Sequence, residues 1–184
     1  YNMVNMDGTR SKEFTIRRDD KNYIQRVANF FKHHIEKKIP VVMHNGIGYD
    51  VKMVEKILGI DLSELMVIDS LILSWYLSPE RRLHGLDSFF DDYGIAKPVI
   101  DSWEQGEDET LEAFLDRMQN RCQEDVKINT ALWLDHKARL VDMYTIAQGF
   151  IDLGQEVKDK YGNVLKVLNV GGTRISNDEW IPID

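Results

Sequence analysis

The spacing of apolar residues changes several times along this chain, and each change marks an element. Glu13-Phe14-Thr15-Ile16-Arg17 alternates polar with apolar and follows an Asp7-Gly8 turn signal, so Val4 and Phe14–Ile16 are expected on the two strands of a hairpin. Ile24, Val27, Ala28, Phe31 and Ile35 recur at helical spacing. They predict a helix N-capped by Asp19 or Asp20 and closed by Lys37-Lys38 ahead of Pro40.

Two short continuous apolar runs come next, Pro40-Val41-Val42-Met43 and Leu65-Met66-Val67-Ile68, the second ending at Asp69. Runs of this kind become strands covered on both faces. Between them His44-Asn45-Gly46-Ile47-Gly48-Tyr49-Asp50 has two glycines that permit a tight turn, and Val51, Val54, Ile57 and Leu58 mark a helix. Leu71–Leu77 reads as helix after the second strand. Strand, helix, strand, helix is the order of a parallel α/β core.

Arg81-Arg82-Leu83-His84-Gly85-Leu86 is a polar loop entering a helix over Leu86–Tyr93, which Gly94 stops. Residues 97–108 read as loop. From Glu109 a helix carries Leu111, Phe114, Leu115, Met118 and Cys122 on one face, and a second helical stretch covers Ile128–Phe150. Beyond Gly154, short β-prone runs between Gly and Pro predict a hairpin or extended appendage. The expected division is a domain over 1–150 and a tail over 151–184.

At 184 residues, 43% hydrophobic and 29% charged, the chain has the composition of a folded globular protein. A formal charge of −8 argues against gripping nucleic acid by bulk electrostatics. That charge is uneven, with nine Lys/Arg against five Asp/Glu in residues 1–40 and a strongly acidic stretch from Asp101 to Asp125. Acidic clusters of this kind suit metal-dependent nucleases. A lone Cys122 excludes an intrachain disulfide and a Cys-rich zinc site. With no apolar run long enough for a membrane span and no signal-peptide character, cytoplasm is the expected compartment and no membrane partner is expected. The opening Tyr1-Asn2-Met3 lacks an initiator methionine, which leads us to expect a fragment or processed product.

Two aspartates stand out. Helical register puts Asp125 on the apolar stripe, where a bare carboxylate costs several kcal/mol unless paired or bound to a cation. An ion pair to Lys127 or Arg121, a local break in the helix that turns Asp125 to solvent, and a catalytic role are all compatible with that position. Asp50 lies just past the carboxyl end of a predicted parallel strand, where open α/β sheets place ligands, though a helix N-cap explains it equally well. Trp75 and Tyr76 sit at helical spacing that reads as core, with base stacking the alternative.

Taken together, these segments resemble the DEDD-type 3′-to-5′ exonucleases, in particular the proofreading domains of phage family A DNA polymerases. His44–Asp50 resembles the family's second motif, Ile68–Ser74 the strand and helix after it, Pro79–Leu86 the next loop, and Arg121-Cys122-Gln123-Glu124-Asp125-Val126 the third motif. The resemblance covers roughly residues 3–135. It implies a ribonuclease H-like α/β fold, a mixed central sheet flanked by helices, with two Mg²⁺ or Mn²⁺ ions cleaving phosphodiester bonds at a DNA 3′ end. On that likeness Asp50 and Asp125 are catalytic metal ligands. His44, Asn45, Arg81, Arg82, His84 and Arg121 would hold single-stranded DNA, and a polymerase domain or subunit is the implied partner.

Two departures qualify the likeness. The family's first motif, Asp-x-Glu on the opening strand, does not occur in residues 1–40, and Tyr1–Asp7 aligns with the second strand, so the first strand is missing from the pattern. Forcing Asn5 and Asp7 into the Asp-x-Glu places leaves no room for a full hairpin before Asp50, so Asp7 or Asp69 is the residue expected to complete a metal site in this chain. Where the third motif carries a Tyr or His that orients water, this chain has Arg121 and Asn120, neither of which acts as a base. A catalytically silent module that binds nucleic acid or protein is the alternative reading.

Overall fold

The computed structural model describes residues 1–4, 10–95, 102–161, 166–169, 172–174 and 180–182, with side chains for 1–4, 12–95 and 102–148. It is mixed α/β. The chain divides into two compact units, Tyr1–His136 and Lys137–Asp184, with the boundary inside a helix.

The hairpin forms in a shifted frame. Strand β1 (Asn2–Val4) pairs antiparallel with β2 (Arg10–Glu13), and Phe14–Ile16 lie past its end. Phe14 is the last residue held: its N–H donates to Tyr1 O at 2.8 Å, the Tyr1 amine donates back at 2.7 Å, and the two rings stack at 4.9 Å. Arg17 then pulls the chain away, pairing with Asp19 and reaching Asp116 at 2.5 Å. Asn5 and Asp7 lie outside the described residues.

Helix α1 (Tyr23–Lys37) starts at Asn22, in the left-handed region at φ 60°, without a side-chain cap. Neither Asp19 nor Asp20 caps it. Asp19 pairs with Arg17, while Asp20 accepts from the Arg17 N–H at 3.0 Å and binds the Arg26 guanidinium. The helix ends as Lys38 turns left-handed and Lys38 and Ile39 donate back to Ile35 O and His34 O, which satisfies carbonyls the last turn leaves open.

The predicted parallel pair is present. β3 (Val41–Met43) and β4 (Val67–Asp69) run parallel with Met43 beside Asp69. Between them a π-turn (Gly46–Asp50) leads into α2 (Val51–Leu58), and α3 (Ser70–Leu77) continues from β4 without a break. Phe31, Leu62 and Leu65 are buried here, packed by Val27, Phe30, Ile35, Val41, Met43, Val51, Val54 and Val67. Each such fully buried side chain contributes on the order of 1.5–3 kcal/mol.

A 3₁₀ turn (Leu86–Phe89) and α4 (Phe90–Tyr93) come next. Instead of two helices, the chain after the acidic loop forms one, α5 (Leu111–Tyr161), which runs through Gly149 and Gly154. Its buried apolar residues are not the early part of the expected stripe, where Leu111 and Cys122 are exposed, but Ile128 and Leu132, which meet Phe89 in a second core. In the second unit β5 (Lys166–Asn169), β6 (Gly172–Arg174) and β7 (Trp180–Pro182) form a three-stranded antiparallel meander. Among the described residues no helix is long and apolar enough to cross a membrane.

Candidate active site

The parallel register brings the carboxyl ends of β3 and β4 together, and Asp69 ties down the turn and the helix that leave them. Its carboxylate accepts from three backbone N–H groups: Asn45 at 2.9 Å, Ile47 at 3.1 Å and Leu71 at 3.0 Å. One buried side chain thus caps α3 and pins the turn after β3. Gly46 is buried in that turn, and a β-carbon there would collide with the Met43 side chain. Only glycine fits. Asp69 is therefore committed to the scaffold, although its place at the strand end made it a candidate for completing a metal site.

Ser70, fully buried at the start of α3, organises the next layer. Its Oγ lies 2.6 Å from Asn129 Oδ1, 3.2 Å from Met43 O and 2.9 Å from His44 Nδ1. The hydroxyl has one proton, and the first two partners are pure acceptors, so His44 donates its Nδ1–H to Ser70. His44 Nε2 is buried and makes no close hydrogen bond among the described residues, although the ring also feels the His84 backbone carbonyl. Burial lowers the His44 pKa, against the opposing pull of Asp69, the His84 backbone and Asp125, which favours the neutral ring this network requires.

Asp50 closes the π-turn and is exposed. It stands at the N-cap position of α2 but its side chain makes no cap bond, so that structural role does not use the carboxylate. Loss of solvation raises its pKa, opposed by its own backbone N–H and reinforced by Asp69. Asp125 projects from α5 one-third exposed, paired with Arg121 at 3.1 Å. Its pKa is also raised, first by desolvation, with Arg121 and His44 opposing and Glu124 adding to it. Asp50 feels Asp69, and His44 feels both Asp69 and Asp125, so the ends of β3 and β4 and the helix α5 interact electrostatically through His44.

Of the ion pairs considered for Asp125, the one with Arg121 forms, whereas Lys127 binds Glu124 at 2.6 Å. Arg121 is largely buried and also reaches Asp87 at 3.4 Å. Asn45 gives its backbone N–H to Asp69 and leaves its side chain exposed over Gly48. Arg82 is exposed.

Arg81 and His84 are engaged by their own loop. Arg81 donates to Leu83 O at 2.8 Å and Ser88 O at 2.5 Å, pairs with Asp92 at 2.9 Å and covers the Phe89 ring. His84 is buried, with Nδ1 2.7 Å from Ser74 Oγ and Nε2 2.8 Å from Arg81 O. Sequence reasoning passed over Ser70, Ser74 and Asn129, because a serine or asparagine inside a helix gives no signal until its partner is in view.

Asp50 and Asp125 are hard oxygen donors whose charged forms are disfavoured by desolvation, a setting that a divalent cation would relieve. Among the described residues, however, no three His, Cys, Asp or Glu side chains converge as a group able to hold a metal ion. The residues present fit part of such a site. No family model matches the chain, and no curated protein or solved structure matches it.

Proposed function

We propose that this chain forms most of a 3′-to-5′ exonuclease domain of ribonuclease H-like fold, acting on single-stranded DNA ends. The observation that carries this reading is that His44, at the carboxyl end of β3, feels both Asp69 and Asp125, while Asp50, at the end of the turn after β3, feels Asp69. The Asp50 carboxylate makes no cap bond, and Asp125, though paired with Arg121, stays one-third exposed. Asp50 and Asp125 would hold Mg²⁺ or Mn²⁺, which when bound supplies a polarised phosphoryl oxygen and an ionised water. His44 would steady the site beside them, and Asn45 and Arg82 offer exposed polar groups to a strand.

The sheet edges support the same reading. Tyr1 faces β2 through both its bonds to Phe14, so the N–H and C=O of Asn2 point the other way. Val41 faces β4, so those of Val42 also point away from their pair. Both edges meet consecutive residues of α5: the Asn2 side chain donates to Thr130 at 3.1 Å, and Val42 O accepts from Asn129 at 3.5 Å. An added strand carrying Asp-x-Glu would join these edges and supply the further carboxylates.

The test is release of nucleotides from 3′-labelled single-stranded DNA with Mg²⁺ or Mn²⁺, by the chain preceded by such a strand. We expect divalent-dependent loss from the labelled end; a correctly folded, strand-completed chain that releases nothing argues against the reading. A second reading, a silent module that binds nucleic acid or protein, is favoured by the Arg121–Asp125 pair, which already neutralises one carboxylate. It requires that Asp50→Asn with Asp125→Asn leave single-strand affinity and biological function intact.

A further inference from the structure

One helix presents apolar side chains to solvent where a surface helix normally presents polar ones. Helix α3 buries Ser70, Ser74 and Leu77, yet its opposite face carries Ile72, Trp75 and Tyr76, which are 56%, 55% and 65% exposed. These three positions share a face by helical spacing, and the inversion, small polar residues inside and large apolar ones outside, marks a surface that lacks its partner. We propose that this face is a stacking platform for the bases of single-stranded nucleic acid, with Trp75 and Tyr76 as the stacking rings and Arg82 as a phosphate contact. The proposal deepens the exonuclease reading and rests on it for where the strand end lies.

Three observations choose nucleic acid as the occupant. Trp75 is held from behind: its indole stacks on His84 at 3.8 Å, and both nitrogens of that imidazole are bonded to Ser74 and Arg81, so the opposite indole face is presented by a fixed support. The loop that places His84 behind Trp75 also supplies an exposed cation, Arg82, which exposed Glu80 balances, so the contact is to a single phosphate and not to a basic patch. Arg81 is consumed by Asp92, which leaves exposed Arg82 as the cation beside the patch. The spacing also fits. Trp75 lies about 7.5 Å along the helix axis from Ser70, at the site end of α3, close to two stacked nucleotides at about 3.4 Å each.

The experiment is binding of a fluorescein-labelled oligo-dT, followed by anisotropy in EDTA so that cleavage does not intervene. Trp75→Leu and Tyr76→Leu keep apolar bulk and remove the π-face; Trp75→Phe and Tyr76→Phe keep a ring. We expect each Leu variant to weaken binding roughly fivefold to a hundredfold, with the Phe variants close to wild type. Arg82→Gln should weaken binding and flatten its salt dependence. Tyr76, the more exposed of the two, provides the variant least able to disturb folding, checked by thermal melting. Wild-type affinity in both Leu variants, equal losses in Leu and Phe variants, or no binding by wild type overturns the platform. Binding that depends on the rings, without hydrolysis by the strand-completed chain, keeps the platform and removes the exonuclease reading; hydrolysis indifferent to both rings does the reverse.

Discussion

Helix α3 carries two imidazole–hydroxyl pairs one turn apart, and they differ in a single valence. Ser74 meets His84 Nδ1 at 2.7 Å and Ser70 meets His44 Nδ1 at 2.9 Å. At His84 the second nitrogen is closed by Arg81 O, the ring is covered by Trp75, and Arg81 ties the loop to Asp92. At His44 the second nitrogen is buried and makes no close hydrogen bond among the described residues; Asp125 is nearby, and Asp125 and Asp50 are both disfavoured as anions. Identical residue types therefore do scaffold work at one end of the helix and leave capacity for a ligand at the other. A group whose bonds are all made holds the fold; one whose bonds are left over is available for chemistry.

The sharpest way to break this comparison is at the wall both ends share. Asp69→Ala strips an acceptor from three N–H groups at once, and we expect a loss of about 3 kcal/mol or more by urea denaturation. Next, His84→Ala should cost roughly 2–3 kcal/mol, because Ser74 and Arg81 O lose their partner and a buried ring is removed. His44→Ala should cost only about 1 kcal/mol, since one bond is lost. It should nevertheless lower nucleotide release more than His84→Ala does, measured where both variants remain folded.

Smaller effects come from pH. The folded His44 ring binds its proton more weakly than the unfolded ring, so its contribution is complete above the ordinary value of 6.5 and is lost as pH falls through that value towards the depressed folded one. His44→Gln should remove that part of the acid slope. Asp50 and Asp125 act in the opposite sense: each holds its proton more tightly when folded, so its charge is a net cost above the raised folded pKa, and the cost disappears below the ordinary 3.8. Asn at both positions should raise the urea midpoint slightly at neutral pH and not at all below the carboxylate range.

The α/β centre was legible because its signals are local. The apolar runs at Val41 and Val67 and the helical stripe through Phe31 report burial directly, and Gly59, left-handed at φ 64°, closes α2 as a glycine can. The hairpin register was not, because it depends on contacts between strands such as the Tyr1–Phe14 stack, which alternation along one segment does not report. Nor was the unbroken α5, whose polar stretches resemble a break until Ile128 and Leu132 are seen against Phe89. Asp50 and Asp125 were visible as positions, but that Asp50 is uncapped and Asp69 saturated depends on N–H groups of other elements. Trp75 and Tyr76 read as core from their spacing and proved exposed, since the buried face of α3 is made of serines and Leu77.

The most direct measurement is the rate of 3′-nucleotide release from single-stranded DNA by the strand-completed chain carrying Asp50→Asn and Asp125→Asn, at a temperature where its urea midpoint shows it folded. If these are the carboxylates left for chemistry, the rate falls at least about a hundredfold with stability kept or slightly raised. Release at the unmodified rate by that folded double variant contradicts the account, because the open end of α3 would then be no more than an unfinished scaffold.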